Sequence, residues 1–524
     1  LTTGDYNIAI GSNAGLSITT GANNIILGRL AGDTMTATSN TVIIGFEAGQ
    51  AINSTDANGT VAIGYKAGYA ITSAAGSTFI GNSAGYHNTF LGVNSGAGGW
   101  TTGAPTYNVG IGNFTLDGAM NGATYNTTVG YLSLSGITTG GYNTAVGGRA
   151  LDSVVTGTGN TAVGMDAGGV FTAGGGVFMG YEAGASLTSG DTALIGYQAG
   201  KRMVGTGNVG LGYGVLYGAS STAANNTGTY NTAMGVQALR WVSKTVGSTA
   251  IGAEAGYYIT GSYNTFVGYK SGYGSITSAP YSSGGNNTAV GYATLHNTTS
   301  GNDNVAIGYR AGIATTSASG SVMIGSGAGD ATTTGNGHVI IGHNAGGTGN
   351  QAGLGNVVIG ALAGNAITNA GNEGSVVIGY KAGAGVSNNN FTAIGYRAAP
   401  QGNYEGTVAL GFKALFSIDS SSPGEGNHAI GHTSLYNTTT GAQNTGVGRN
   451  SGLHVTTGTH NTFIGYDTRG VATGLRNTVI GAHAMDDTDA GSTSADSDDN
   501  IFIGAYAGSG TWANVKSEFN VAIG

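Results

Sequence analysis

The sequence predicts an all-β protein, a parallel β-solenoid of about 30 coils of 16–18 residues each. Three observations carry this. A unit made of a polar residue, three mostly apolar residues and a glycine recurs thirty times, its glycines at 11, 28, 45, 64, 81, 92 and onward to 524. The 29 intervals between Gly11 and Gly524 average about 17.7 residues, and most are 16 or 17. Glycine supplies 103 of 524 residues with no Gly-X-Y period, which excludes collagen, while 40% apolar content is too high for a disordered linker.

Each coil is built the same way. Four apolar or β-branched residues bounded by Asn and Gly read as a short strand. The first residue of the unit is Asn in nineteen cases, and the residue before the glycine is Ile, Val, Leu or Met in all thirty. Polar segments such as Thr19–Gly21, Thr138–Gly140 and Thr456–Gly458 supply the turns. Coils stacked at the spacing of paired strands, about 4.8 Å, give an expected rod on the order of 145 Å. The chain is read as a single continuous array over 1–524, a segment of a longer fibre. In such a stack Asn143 and Asn160, Val146 and Val163, and Gly147 and Gly164 are rungs of three ladders.

Stacking in register also explains why only 8% of residues are charged, since a fixed charged position would make a ladder of like charges. Charges that occur fall two residues after the glycine and often alternate in sign, as in Glu47 with Lys66, Arg149 with Asp166 and Glu254 with Lys270. The net charge of −8 is spread thinly, so no field draws the chain to nucleic acid. No apolar run is long enough to span a bilayer, and the start, LTTGDYNIAIG, reads as the interior of a repeat and not as a signal peptide. With no cysteine there is no disulfide framework, thiolate metal site or Cys nucleophile.

Side chains alternate between the two faces of a strand. The wholly aliphatic residue before the glycine, Val146 or Val163, is assigned to the inside of the coil. The residue before it then faces outward. That position is apolar in 26 of 30 units, the exceptions being Gly110, Thr128, Gly210 and Gly446. A second apolar face predicts a partner surface, so Ala145, Ala162, Phe79, Phe90 and Phe266 are expected at an oligomer interface. A homotrimer is expected.

The strings NTAVGGRAL at Asn143–Leu151, NVAIGYRAG at Asn304–Gly312 and NTFIGYDTR at Asn461–Arg469 carry a resemblance that covers nearly the whole chain. A repeated Asn-Thr/Ser-x-Ile/Val-Gly strand followed by Gly-x-x-Ala resembles the head repeats of trimeric autotransporter adhesins of the YadA type, and is similar to strings in phage tail fibres. The resemblance implies a left-handed parallel β-roll, three chains around one axis and a role in adhesion or in building a stalk. The repeat here is longer than that family's, the extra residues falling in the TTG-like loop. IGYKAG at Ile63–Gly68 also fits the hexapeptide of left-handed β-helix acyltransferases, but it appears once per coil, not three times.

Candidate sites are few. Nine histidines are dispersed, with His338 near His343 and His428 near His432 as the close pairs, and no cofactor is expected. The most acidic stretch, with Asp486, Asp487, Asp489, Asp496, Asp498 and Asp499, is an oxygen-rich loop and a weak Ca²⁺ candidate whose spacing matches no known calcium loop. Eleven units carry Tyr directly after the glycine, and others carry it before the Asn; these rings either pack on one another or offer flat faces to sugars. Lys381, Arg397 and Lys413 occupy one coil position in consecutive coils and mark a candidate polyanion contact. Longer loops after Gly212, Gly268 and Gly481, and the intervals holding Pro105, Pro280 and Pro423, are where partner recognition is expected. The resulting reading is a non-enzymatic extracellular or virion-surface fibre, with a host surface or glycan receptor as its partner. The alternatives are a filament stacked end to end and an acyltransferase-like enzyme.

Overall fold

A run such as Thr144–Val146, rich in β-branched residues and ended by Gly147, has nothing to pair with inside its own coil. It pairs with the next one. Thr161, Ala162 and Val163 lie parallel to Thr144, Ala145 and Val146 in exact register. The Thr144 N–H donates to the Asn160 carbonyl at 2.8 Å, and the Gly164 N–H to the Val146 carbonyl at 2.7 Å. In this computed structural model the described residues are 3–524 apart from 54, 70–76, 82–87, 99–104, 189, 220–225, 276–281, 348–352, 366–372, 387–389, 403–404, 419–423, 487–496 and 510–517.

The protein is an all-β parallel solenoid in two compact units, Leu1–Glu254 and Ala255–Gly524. The first unit carries fifteen such strands from Ile8–Ile10 to Thr249–Ile251, and the second fifteen from Thr265–Val267 to Val521–Ile523. Two further short strands of the second unit, Gly385–Val386 and Gln401–Gly402, pair with each other in parallel. The one helical element among the described residues is a 3-10 turn at Thr55–Ala57. No helix among them is long and apolar enough to cross a membrane.

The strand ends because its glycine takes a backbone angle closed to other residues. Gly164 has φ +134°, and a Cβ there would lie 2.5 Å from the Gly180 carbonyl oxygen of the next coil. Two residues later the chain turns through the left-handed region, as at Arg149 and Asp166 (φ +55° and +56°).

Asparagine ties coil to coil. Asn143 donates through Nδ2 to Asn126 Oδ1 (2.9 Å) and to the Gly157 carbonyl (3.0 Å), while its Oδ1 accepts the Asn160 N–H (3.0 Å). Asn160 in turn donates to the Ala173 carbonyl (2.9 Å) and accepts the Gly176 N–H (2.9 Å). In the second unit Asn427, Asn444, Asn461, Asn477, Asn500 and Asn520 repeat the pattern. These side chains are buried, so removing one leaves several polar groups unpaired. We expect Asn143→Leu to cost on the order of 3 kcal/mol, from more than one orphaned group at about 1–3 kcal/mol each, read as a lower urea midpoint; an unchanged midpoint would show that the ladder contributes nothing.

The interior corrects the assignment of faces. Ala145 and Ala162 are fully buried within their own coils, and so are Phe79, Phe90 and Phe266 to within 2%. They cannot form an interface. Val163, assigned to the inside, is 36% exposed. The physical reason is how the coil closes. A coil this short encloses space for about one large side chain, beside the alanine that follows its glycine by three residues (Ala150, Ala167) and an apolar residue at the seventh (Val154, Phe171). Beside several Phe residues at the central position the fourth residue after the glycine is Gly, as in Phe178 with Gly184 and Phe266 with Gly272. Where the central residue is Gly or Thr, a Leu lies close by: Leu216 beside Gly210, Leu134 in the coil of Thr128, and Leu435 of the preceding coil beside Gly446. The inner position takes residues from Gly110 to Ile26, Ile43 and Phe178, whereas the third strand residue is Ile, Val, Leu or Met throughout and points out.

Candidate functional site

With the inside settled, the outer strand face follows. The first and third residues of each strand point outward, giving a row of Thr or Val and a parallel row of Ile, Val, Leu or Met. The third-position row is apolar in every strand, and Leu211, Ile251 and Ile307 are 40–43% exposed. An aliphatic row that continuous and that exposed is a contact surface by its chemistry.

Beside it runs an aromatic column. Tyr181, Tyr197 and Tyr213 stack at 5.2 and 5.3 Å, and Tyr269, Tyr292 and Tyr309 at 5.6 and 5.2 Å. A second column at the corner before the strand holds Tyr107, Tyr125 and Tyr142 at 4.9 and 5.1 Å. The rings are near-parallel, so their faces are turned to one another and their edges to solvent. Of the two uses expected for these tyrosines, packing is the one adopted; a sugar ring cannot lie on faces already covered.

The charged corner behaves as the sign alternation suggests. Lys66 meets Glu47 at 3.3 Å and Arg149 meets Asp166 at 2.5 Å, while Glu182 is met at 2.5 Å by Lys201 from outside the corner position, which in that coil is Gln198. The Lys66 amine titrates above its ordinary range, chiefly through its hydrogen bond to Glu47. Lys381, Arg397 and Lys413 break the pattern. They follow one another in register, the Arg397 N–H donating to the Tyr380 carbonyl (2.8 Å) and the Lys413 N–H to that of Tyr396 (2.9 Å). Among the described residues none of the three has a carboxylate partner.

Arg149, Asp152, Asp166 and Glu182 line a shallow cleft of the first unit. Burial pushes the Asp152 carboxyl above its usual range, against a hydrogen bond from Ser153 and the pull of Arg149, with Asp166 pushing the same way as burial. A carboxylate raised in the folded state weakens the fold once it ionises, so its stability contribution is highest at acid pH and falls as pH rises through the raised value. Asp152→Asn is therefore expected to melt higher than the parent at neutral pH, with the difference closing on acidification. A lower melting temperature for the variant at neutral pH would contradict this.

The acidic loop is only partly described, since Asp487, Asp489 and Asp496 lie outside the described residues. The other three are engaged by the protein. Asp486 pairs with Arg469 (2.7 Å) and His483 (2.8 Å), Asp498 accepts the Leu475 N–H (2.8 Å), and Asp499 takes Arg476 bidentately (2.7 and 2.8 Å). Among the described residues no three acidic, His or Cys side chains converge as metal ligands. The close histidine pairs separate too: His338 stands in the buried ladder, its Nδ1 accepting the Asn356 N–H at 3.2 Å, and His432 stacks on Phe412 at 4.8 Å. The tips of the long loops after Gly212, Gly268 and Gly481, with Pro280 and Pro423, also lie outside the described residues.

Sequence reasoning found the apolar second face but put the wrong residues on it. The signal that separates them is variability: the inner position ranges from Gly to Phe, whereas the outer position is Ile, Val, Leu or Met throughout. No family model and no curated protein matches the sequence.

Proposed function

We propose that this chain is a non-enzymatic structural protein whose solenoid coils associate with further copies, three chains around one axis in a left-handed roll, to build an extracellular fibre or stalk that presents surface for adhesion. One observation carries the reading, the unbroken aliphatic row on the outer strand face of every described coil. Solvent does not favour such a row, and burying it releases about 25 cal/mol per Å² of apolar surface. The occupant best matched to a repeating surface is the same surface on another copy, because the coil spacing of the two then agrees. The low charge and the absence of cysteine suit a protein that works by extent and stiffness, outside the cell. Negative-stain electron microscopy tests the reading: elongated, parallel-sided particles are expected, and compact globular particles would overturn it.

A further inference from the structure

The three cations that interrupt the sign alternation sit against the aromatic column. Tyr380, Tyr396, Phe412 and His432 stack at 5.4, 5.2 and 4.8 Å with ring planes 10–19° apart. The Lys381 amine lies 5.5 Å from the Tyr380 ring centre, the Arg397 guanidinium 4.8 Å from that of Phe416, and the Lys413 amine 5.3 and 5.2 Å from those of Phe412 and Phe416. The rings fix where the charges stand, at a contribution of about 0.5–1 kcal/mol for each exposed contact. Like charges on adjacent coils, about 5 Å apart, repel. At Glu47 with Lys66 and Arg149 with Asp166 this corner sets a cation beside a carboxylate; here the row runs Leu362, Lys381, Arg397, Lys413, Thr433 with none. The acidic residues of these coils, Glu373 and Glu405, lie eight positions upstream of Lys381 and Lys413, at the other end of the strand. Arg397 Nε is buried and has no hydrogen-bond partner within the chain.

We infer that Lys381, Arg397 and Lys413, framed by Tyr380, Tyr396 and Phe412, bind a linear sulfated polysaccharide laid along the stack. Three cations in a straight line, one per coil, match a polymer that carries charge at short regular intervals. The positive ring edges turned outward add to the attraction for anions. Single-stranded nucleic acid is the other polyanion that basic and aromatic residues recognise, but it needs open ring faces for its bases, and these faces are covered by one another. The strip stands on its own geometry and does not depend on association of chains.

The test uses the full chain on immobilised heparin. Retention at low salt is expected, with release as salt rises. The triple variant Lys381→Gln, Arg397→Gln, Lys413→Gln should bind more weakly by on the order of tenfold, three exposed ion pairs at about 0.2–1 kcal/mol each. Glutamine is tolerated there, since Gln198 and Gln237 occupy the same corner at φ +54° and +58°. A matched variant, Arg29→Gln, Arg310→Gln, Arg449→Gln, should keep its retention, and neutral dextran should not bind. Unchanged heparin retention in the first triple would overturn the inference. So would equal loss in both triples, or equally tight binding of a single-stranded oligonucleotide.

Discussion

Gly164→Val is expected to be among the most damaging single substitutions available in this fold. Its φ of +134° is closed to a β-branched residue, and the new Cβ would press on the Gly180 carbonyl at 2.5 Å. Relaxing that contact means parting two coils, which breaks backbone bonds between them such as that from Gly180 N–H to the Val163 carbonyl (2.7 Å). Backbone strain of about 1–3 kcal/mol adds to the clash, so the loss should exceed about 3 kcal/mol. Because each coil contacts only its neighbours, the damage should start locally. Hydrogen exchange should show protection lost first over Thr144–Val146, Thr161–Val163 and Val177–Met179, while distant coils of the same unit keep theirs. Uniform loss across the unit would show stronger cooperativity than a nearest-neighbour stack has.

The second large effect concerns the outer face. Ile307, Ile324 and Ile341 lie in register on three consecutive strands. Replacing them with Lys, Glu and Lys copies the alternation that Glu47 and Lys66 already use, so the stack itself should persist. An interface built on this row would have to bury those charges at a cost of several kcal/mol each. Self-association should therefore be lost while the far-ultraviolet circular dichroism stays that of the parent. Ala306→Leu, in the same coil but buried inside it, should do the reverse: overpacking costs about 1–3 kcal/mol, lowering the melting temperature without changing the mass.

Much of this was legible in the residues because it follows from the period alone. Once NTAVG recurs at Asn143 and Asn160, the parallel register, the asparagine ladder and the meeting of Arg149 with Asp166 are consequences of stacking. Orientation was not, because alternation along a strand is symmetric: it says that Ala145 and Val146 face opposite ways and not which is inside. That choice is made by how the coil closes, with residues such as Leu151 and Val154 buried on its far side. Reading the invariant aliphatic position as the core took constancy for burial. Here constancy marks the outer row, while the inner position varies in size from Gly110 to Phe178. The cation row was visible as three like residues at one coil position. That its rings stack face to face, leaving only edges and charges to a ligand, is a property of side-chain orientation that no spacing encodes.

Sedimentation equilibrium of the intact chain beside its Ile307→Lys, Ile324→Glu, Ile341→Lys variant is the most direct test of the central claim, that the outer aliphatic row joins copies of this protein. The expected result is three times the single-chain mass for the parent and the single-chain mass for the variant. A parent that sediments as one chain at micromolar concentration, or a variant that keeps the parent's mass, would contradict it.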